Sequence, residues 1–211
     1  MGLDMYLYSS EKFEDIKWTY TNEEIEADEF LTRMETGFTK TCTLTTSDRS
    51  IELRNYYIRE IKLTSKKRIT VSEITDISPN TITFKVWNTE KENYEETTIN
   101  KSDIEEVKFT LAYWRKANQI HAWFVNEVQQ GVDDCNEYKV SGSQLNALIE
   151  LCKEVLEKRN DNFSSANLPT QAGFFFGDTE YTDYYYSKVE DTIKQLSNIK
   201  TNGIYSYESS W

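Results

Sequence analysis

The chain has 211 residues, enough for one sizeable core or for one domain carrying an elaboration. Acidic residues number 36 against 24 Lys and Arg, a formal charge of -12, which repels phosphate backbones at long range and excludes nonspecific binding of nucleic-acid polymers. Aromatics make up 14% of the chain and Pro occurs twice, a folded composition, and no apolar run approaches the roughly 18 residues of a membrane span.

Leu3, Met5 and Leu7 alternate with Asp4, Tyr6 and Tyr8, which predicts a strand with one buried face at the N-terminus. An acid in this short apolar run, with no basic residue before it, does not fit a signal peptide. Residues 11–38 are mixed and acidic, with a short helix predicted from Glu23 to Phe30. From Thr39 to about Thr98 the chain is rich in Thr, Ile, Val and Tyr, and breaks at 47–49, 65–67, 78–80 and 88–90 outline a β meander. The predicted strands are 40–46, 50–63, 68–74, 81–87 and 94–99.

Past Asn100 the periodicity predicts a helix, with Ser102 and Glu105 as its capping box and Tyr113, Ala117, Ile120, Phe124 and Val128 on its buried side. A second helix has Ser141 as N-cap, Gln144 three residues on, Val140 and Leu145 as a hydrophobic staple, then Leu148, Ile149, Cys152 and Leu156. A third is predicted from near Thr182 to about Ser197, with Tyr185, Val189, Ile193 and Leu196 inward, ending before Asn202 and Gly203. The fold class expected is α+β: a single domain over 1–211 in which a mainly antiparallel sheet is covered by about three helices, with a β-rich insertion over 39–100.

Residues 1–7, 112–124, 131–138 and 168–177 together resemble a family of small bacteriophage and bacterial proteins. These open with MGLDMYL and carry AYWRKAN, DDC and LPTQ-GFFFG segments in this order. The resemblance covers the N-terminal strand and roughly residues 105–197, and the β-rich stretch between looks like an insertion. It implies a phage or prophage setting and the host cytoplasm, and it brings no activity and no catalytic residues with it. Three cysteines, Cys42, Cys135 and Cys152, fall in different segments without C-x-x-C spacing, which fits reduced cytoplasmic thiols.

The candidate site starts from residues 112–124, which hold His121, the one histidine of the chain, with Trp114, Trp123, Arg115 and Lys116. On a helix, Arg115, Asn118 and Ala122 would share a face flanked by Trp114 and His121, opposite the buried stripe. The bland alternative stays open: Trp114 and His121 finish a core, and Arg115 pairs with Asp133, Asp134 or Glu137 to lock a loop. Residues 168–177 combine a Pro-started turn, Thr170 and Gln171, and three phenylalanines between glycines. They could bring backbone close to a ligand and stack a base, or form an apolar strand whose alternate Phe side chains point oppositely. Tyr181, Tyr184, Tyr185 and Tyr186 cannot all be buried by one helix face, so some phenols are expected to be accessible.

Asp133, Asp134 and Glu137 around Cys135 lack EF-hand spacing, and one histidine with scattered thiols does not make a zinc site. Cys135 and His121 are fourteen positions apart with nothing in the sequence to join them. No catalytic residue, metal ligand or cofactor is therefore expected. The reading that follows is a non-enzymatic binding protein with a pocket for a small nucleotide-like ligand, lined by Trp114, Arg115, Asn118, His121, Thr170, Gln171, Phe174 and Phe176. In a phage it would sequester a host immune signalling nucleotide. Two alternatives are an acidic inhibitor of a host protein and a metal-dependent nucleotide-processing enzyme using Asp133, Asp134 or Glu137.

Overall fold

The computed structural model describes residues 2–13, 17–21, 41–45, 50–54, 58–197 and 199–211. Its elements are β1 (Asp4–Lys12), β2 (Lys17–Thr21), β3 (Thr41–Thr45), β4 (Ser50–Arg54), β5 (Ile58–Leu63), β6 (Arg68–Thr70), β7 (Glu73–Ile77), β8 (Thr81–Asn88), β9 (Asn93–Asn100), β10 (Ile104–Arg115), α1 (Asn118–Glu127), β11 (Tyr138–Ser141), α2 (Gly142–Lys158), α3 (Asp161–Asn167), α4 (Asp183–Gln195) and β12 (Ile204–Ser210). The fold is α+β with mostly antiparallel sheets. The chain divides into two compact units, Met1–Ser9 with Thr110–Trp211, and Ser10–Phe109. The stretch 39–100 falls inside the second.

In the first unit the strand order is β11-β12-β1-β10. β12 is antiparallel to both neighbours, with Leu7 opposite Tyr207 and Tyr207 opposite Tyr138. Leu3, Met5, Leu7, Ala112, Trp114, Tyr205 and Tyr207 form one core with Leu145, Leu148, Cys152 and Val155 of α2 and Tyr185 and Val189 of α4. The period of two along the strands meets the three- and four-residue steps of the helices, which is why one apolar layer closes. α2 begins as predicted: Ser141 Oγ accepts from Gln144 N–H, and Gln144 returns its side chain to the Ser141 backbone N–H. Both staple residues, Val140 and Leu145, are buried.

In the second unit β2, β3 and β4 form one antiparallel ladder and β7, β8 and β9 another, while residues 104–109 of β10 pair with β5 and β5 with β6. Alternation buries Ile82 and Phe84 of β8 completely. The predicted strand 50–63 is two strands, and 68–74 is split between β6 and β7. The helix predicted over Glu23–Phe30 lies outside the described residues.

The helix expected to begin near Ser102 is a correction: residues 104–115 are a strand, and the helix starts only at Asn118. The buried positions Ile104, Val107, Phe109, Ala112 and Trp114 step by three, two, three and two, and a step of three mimics a helix. A register shift between Ile104 and Glu106 accounts for the first such step. Glu105 caps nothing. It accepts from Lys62 Nζ at 2.8 Å and Lys66 Nζ at 2.7 Å, and these bonds hold its carboxyl down to about 2. Sequence periodicity also missed α3, β11 and β12.

Candidate functional site

Between β10 and α1 the chain turns at Lys116, whose φ of +53° is left-handed, and Ala117 precedes the first helical residue. This turn sends Trp114 and Arg115 one way and Asn118 and His121 another. His121 is fully buried. Its Nε2 lies 3.0 Å from Asp133 Oδ1, and a carboxylate only accepts, so Nε2 carries the proton. Nδ1 then accepts from the Tyr207 hydroxyl at 2.8 Å. Burial pushes the histidine pKa down against the opposing pull of Asp133, and burial likewise raises the Tyr207 hydroxyl well above its ordinary value. The imidazole is thus neutral, with both nitrogens used.

The second carboxylate oxygen of Asp133 accepts from Gln171 Nε2–H at 2.9 Å, tying residues 168–177 to the loop after α1. Asn118 completes the tie. Its amide nitrogen donates to Phe176 O at 3.2 Å and Asp178 O at 2.8 Å, while its carbonyl accepts from Gln171 N–H at 3.3 Å. Phe176 sits edge-on to His121 with ring centroids 5.1 Å apart, and Gly173 O closes a turn by accepting from Phe176 N–H. Gly177, with φ of +93°, leaves this turn where a Cβ would stand 3.2 Å from Lys116 Cβ.

The mount displays one side chain in full. Phe174, at the tip of the turn, is 94% exposed, Phe175 meets it edge-on at 4.7 Å, and Phe175 O accepts from Leu3 N–H. Next to Leu3, Gly2 has Arg115 Nη2 only 3.3 Å from the position of a Cβ. Arg115 is 45% exposed and its nearest carboxylate is Asp4, at a loose 3.7 Å. Lys116 is exposed beside Gly177. Tyr113 donates its hydroxyl to Asp4 at 2.5 Å, and Tyr184, also exposed, feels the Arg115 charge. Two cations and a fully presented aromatic therefore surround the start of β1.

Of the eight residues expected to line a pocket, Asn118, His121, Gln171 and Phe176 come together, and their polar atoms are spent on one another and on Asp133 and Tyr207. The other four stand elsewhere. Trp114 is a core residue whose indole N–H donates to Thr192 Oγ1 at 3.0 Å. Thr170 donates its hydroxyl to Thr179 O at 2.9 Å. Arg115 and Phe174 are on the surface described above. The expected helix face shared by Arg115, Asn118 and Ala122 does not exist, because Arg115 ends a strand, while Asn118 and Ala122 are buried. Nor does Arg115 lock the acidic loop: Asp133 serves His121 and Gln171. The three phenylalanines form a turn and not a strand, graded from exposed Phe174 to buried Phe176.

Asp134 accepts from the Asn136 backbone N–H, the Asn136 side chain and the Tyr138 hydroxyl, which holds its carboxyl low. Cys152 is buried, its thiol pushed up to about 12, and Cys135 is exposed. Among the described residues no group of three His, Cys, Asp or Glu side chains is placed to hold a metal ion, and no helix is long and apolar enough to cross a membrane. Tyr207 was the missed member of the network. Its signal was the alternation of Tyr205, Tyr207 and Ser209 with Ser206 and Glu208, a period of two that reads as a half-buried strand. No protein-family model, no curated protein and no solved structure matches this chain.

Proposed function

We propose that this protein is a non-enzymatic binder of a small nucleotide-like ligand, held on the face that carries Phe174, Phe175, Arg115 and Lys116. The observation that carries the reading is Phe174, 94% exposed on a turn anchored by Asn118, Gln171 and Asp133. An aromatic ring left in water costs the free protein burial energy, and a rigid mount removes the entropy that ordering it would cost on binding. A base stacked on such a ring gains about 1–3 kcal/mol. Arg115 and Lys116 supply charge-assisted bonds to phosphate, and a bidentate phosphate outcompetes the loose contact to Asp4. The interior beside His121, filled by Phe176, serves as the support for this face and not as the receptacle.

In the phage setting that the resemblance implies, such a protein would withdraw a host signalling nucleotide. The test is a thermal-shift panel of mono-, di- and cyclic nucleotides on the wild type, Phe174→Ser and Arg115→Ala. A stabilisation with at least one nucleotide, reduced in both variants, is the expected result, about 2.7 kcal/mol at a hundredfold excess over Kd. No shift with any nucleotide far above micromolar concentration overturns the reading.

A further inference from the structure

In the second unit, the β8–β9 hairpin exposes an aromatic pair that its own fold does not require. Trp87 faces Tyr94 across the ladder, rings edge-on with centroids 4.9 Å apart, and they remain 47% and 58% exposed. Neighbours on the same ladder show the contrast: Ile82 and Phe84 are completely buried. Towards the tip a hollow of about 350 Å³ opens, with Val86 and Trp87 as its apolar walls and Asn88, Glu90 and Glu95 as its polar ones. Asn88 shapes the turn by accepting from the backbone N–H groups of Glu90 and Lys91. The tip carries Glu90, Glu92, Glu95 and Glu96 against one cation, Lys91. Lys91 and Asn88 engage Glu95, whereas Glu90 and Glu92 have no ion-pair partner among the described residues.

We propose that this hollow takes an arginine or lysine side chain from a basic segment of a partner protein. The stem of such a side chain lies on Val86 and the Trp87 ring, whose face attracts cations, and its head reaches the carboxylates of Glu90 and Glu95. The chemistry selects against the other occupants. An anion meets three surplus carboxylates, and a purely apolar group would strip water from Glu90 and Glu95 without replacing it. Glu92 and Glu96, outside the hollow, favour a segment carrying further cations over a single free amine, and the chain's charge of -12 steers that segment inward. This surface is independent of the Phe174 face, so each reading can fail alone.

The test is fluorescence anisotropy of a labelled peptide of alternating arginine and glycine, titrated with the full-length protein. Trp87→Ala and Glu90→Gln are expected to weaken binding by about tenfold and severalfold respectively, while Phe174→Ser leaves it unchanged. Glu90 supports no bond of the fold through its carboxylate, so Glu90→Gln reports on binding even where Trp87→Ala loosens the hairpin. The control Glu154→Gln/Glu157→Gln on exposed positions of α2 removes more charge at a distance. Weakening by that control equal to the weakening by Glu90→Gln, or undiminished binding in both hairpin variants, overturns the proposal.

Discussion

The Tyr207 hydroxyl donates to His121 Nδ1 at 2.8 Å, and Asp133 holds the proton on the opposite ring nitrogen, 3.0 Å away. With no exposed surface, this imidazole has to fold in its neutral form, and the fold inherits a pH dependence from it. Burial sets the folded-state pKa below the ordinary value of 6.5, so stability is complete above 6.5 and falls as the pH drops below it, until the folded-state pKa is reached. The slope from this one proton is at most about 1.4 kcal/mol per pH unit. Urea midpoints of the wild type and His121→Asn, followed from above to well below that pH, should converge as the pH falls. Parallel profiles would show that His121 is not neutral in the fold.

Removing the donor should be costly even though only one oxygen is lost. Tyr207→Phe keeps the stacking on Phe124, whose ring lies 3.8 Å away and within 6° of parallel, but leaves Nδ1 of a buried neutral imidazole unsatisfied. The expected loss is about 1–3 kcal/mol. Asp133→Asn should be partly non-additive with it, since both act through one ring. A double-mutant cycle by chemical denaturation measures this, and strict additivity would mean that the three groups do not act as a unit.

How far the sequence could be read depends on where the deciding interaction lies along the chain. The N-cap of α2 is local: Ser141 and Gln144 are three residues apart, and their reciprocal bonds could be named in advance. The β8 alternation is local too. β10 was misread because a shifted register gave Ile104 and Val107 a helical spacing, and only the partner strand β5 fixes that register. At the site, the residue types in 112–124 and 168–177 marked the right segments, since His121, Asn118 and Gln171 meet through hydrogen bonds spanning up to 86 positions. Their roles were not legible. A buried mount and a ligand contact use the same donors, and what separates them is whether Asp133 and Tyr207 arrive first.

Asn118 should govern the presentation of Phe174. Asn118→Ala removes two donated bonds and one accepted bond that hold residues 171–178, and it leaves buried carbonyl groups without donors, for about 2–4 kcal/mol. The loop should loosen before the whole unit does. Hydrogen exchange or limited proteolysis is expected to show faster opening at 171–178, with α2 protected as in the wild type. Equal acceleration throughout would mean that Asn118 is a general core residue and not the anchor of the turn.

The start of α2 offers a prediction set by backbone contact alone. Gly142 follows the Ser141 cap, its N–H donates to Gly203 O at 2.8 Å, and a Cβ there would stand 1.8 Å from Lys200 O. Elsewhere in a helix Gly→Ala is favourable by up to about 1 kcal/mol. Here the sign reverses. The added methyl meets a backbone carbonyl rather than the end of a flexible side chain, so the turn before β12 has to move, and with it Tyr205 and the register that brings Tyr207 to His121. Gly142→Ala should cost about 3 kcal/mol or more, with the loss of the His121 environment visible as a normalised histidine titration by NMR. A variant as stable as the wild type would show that the 200–203 turn yields without strain, and the coupling between the α2 cap and the buried imidazole would then fail with it.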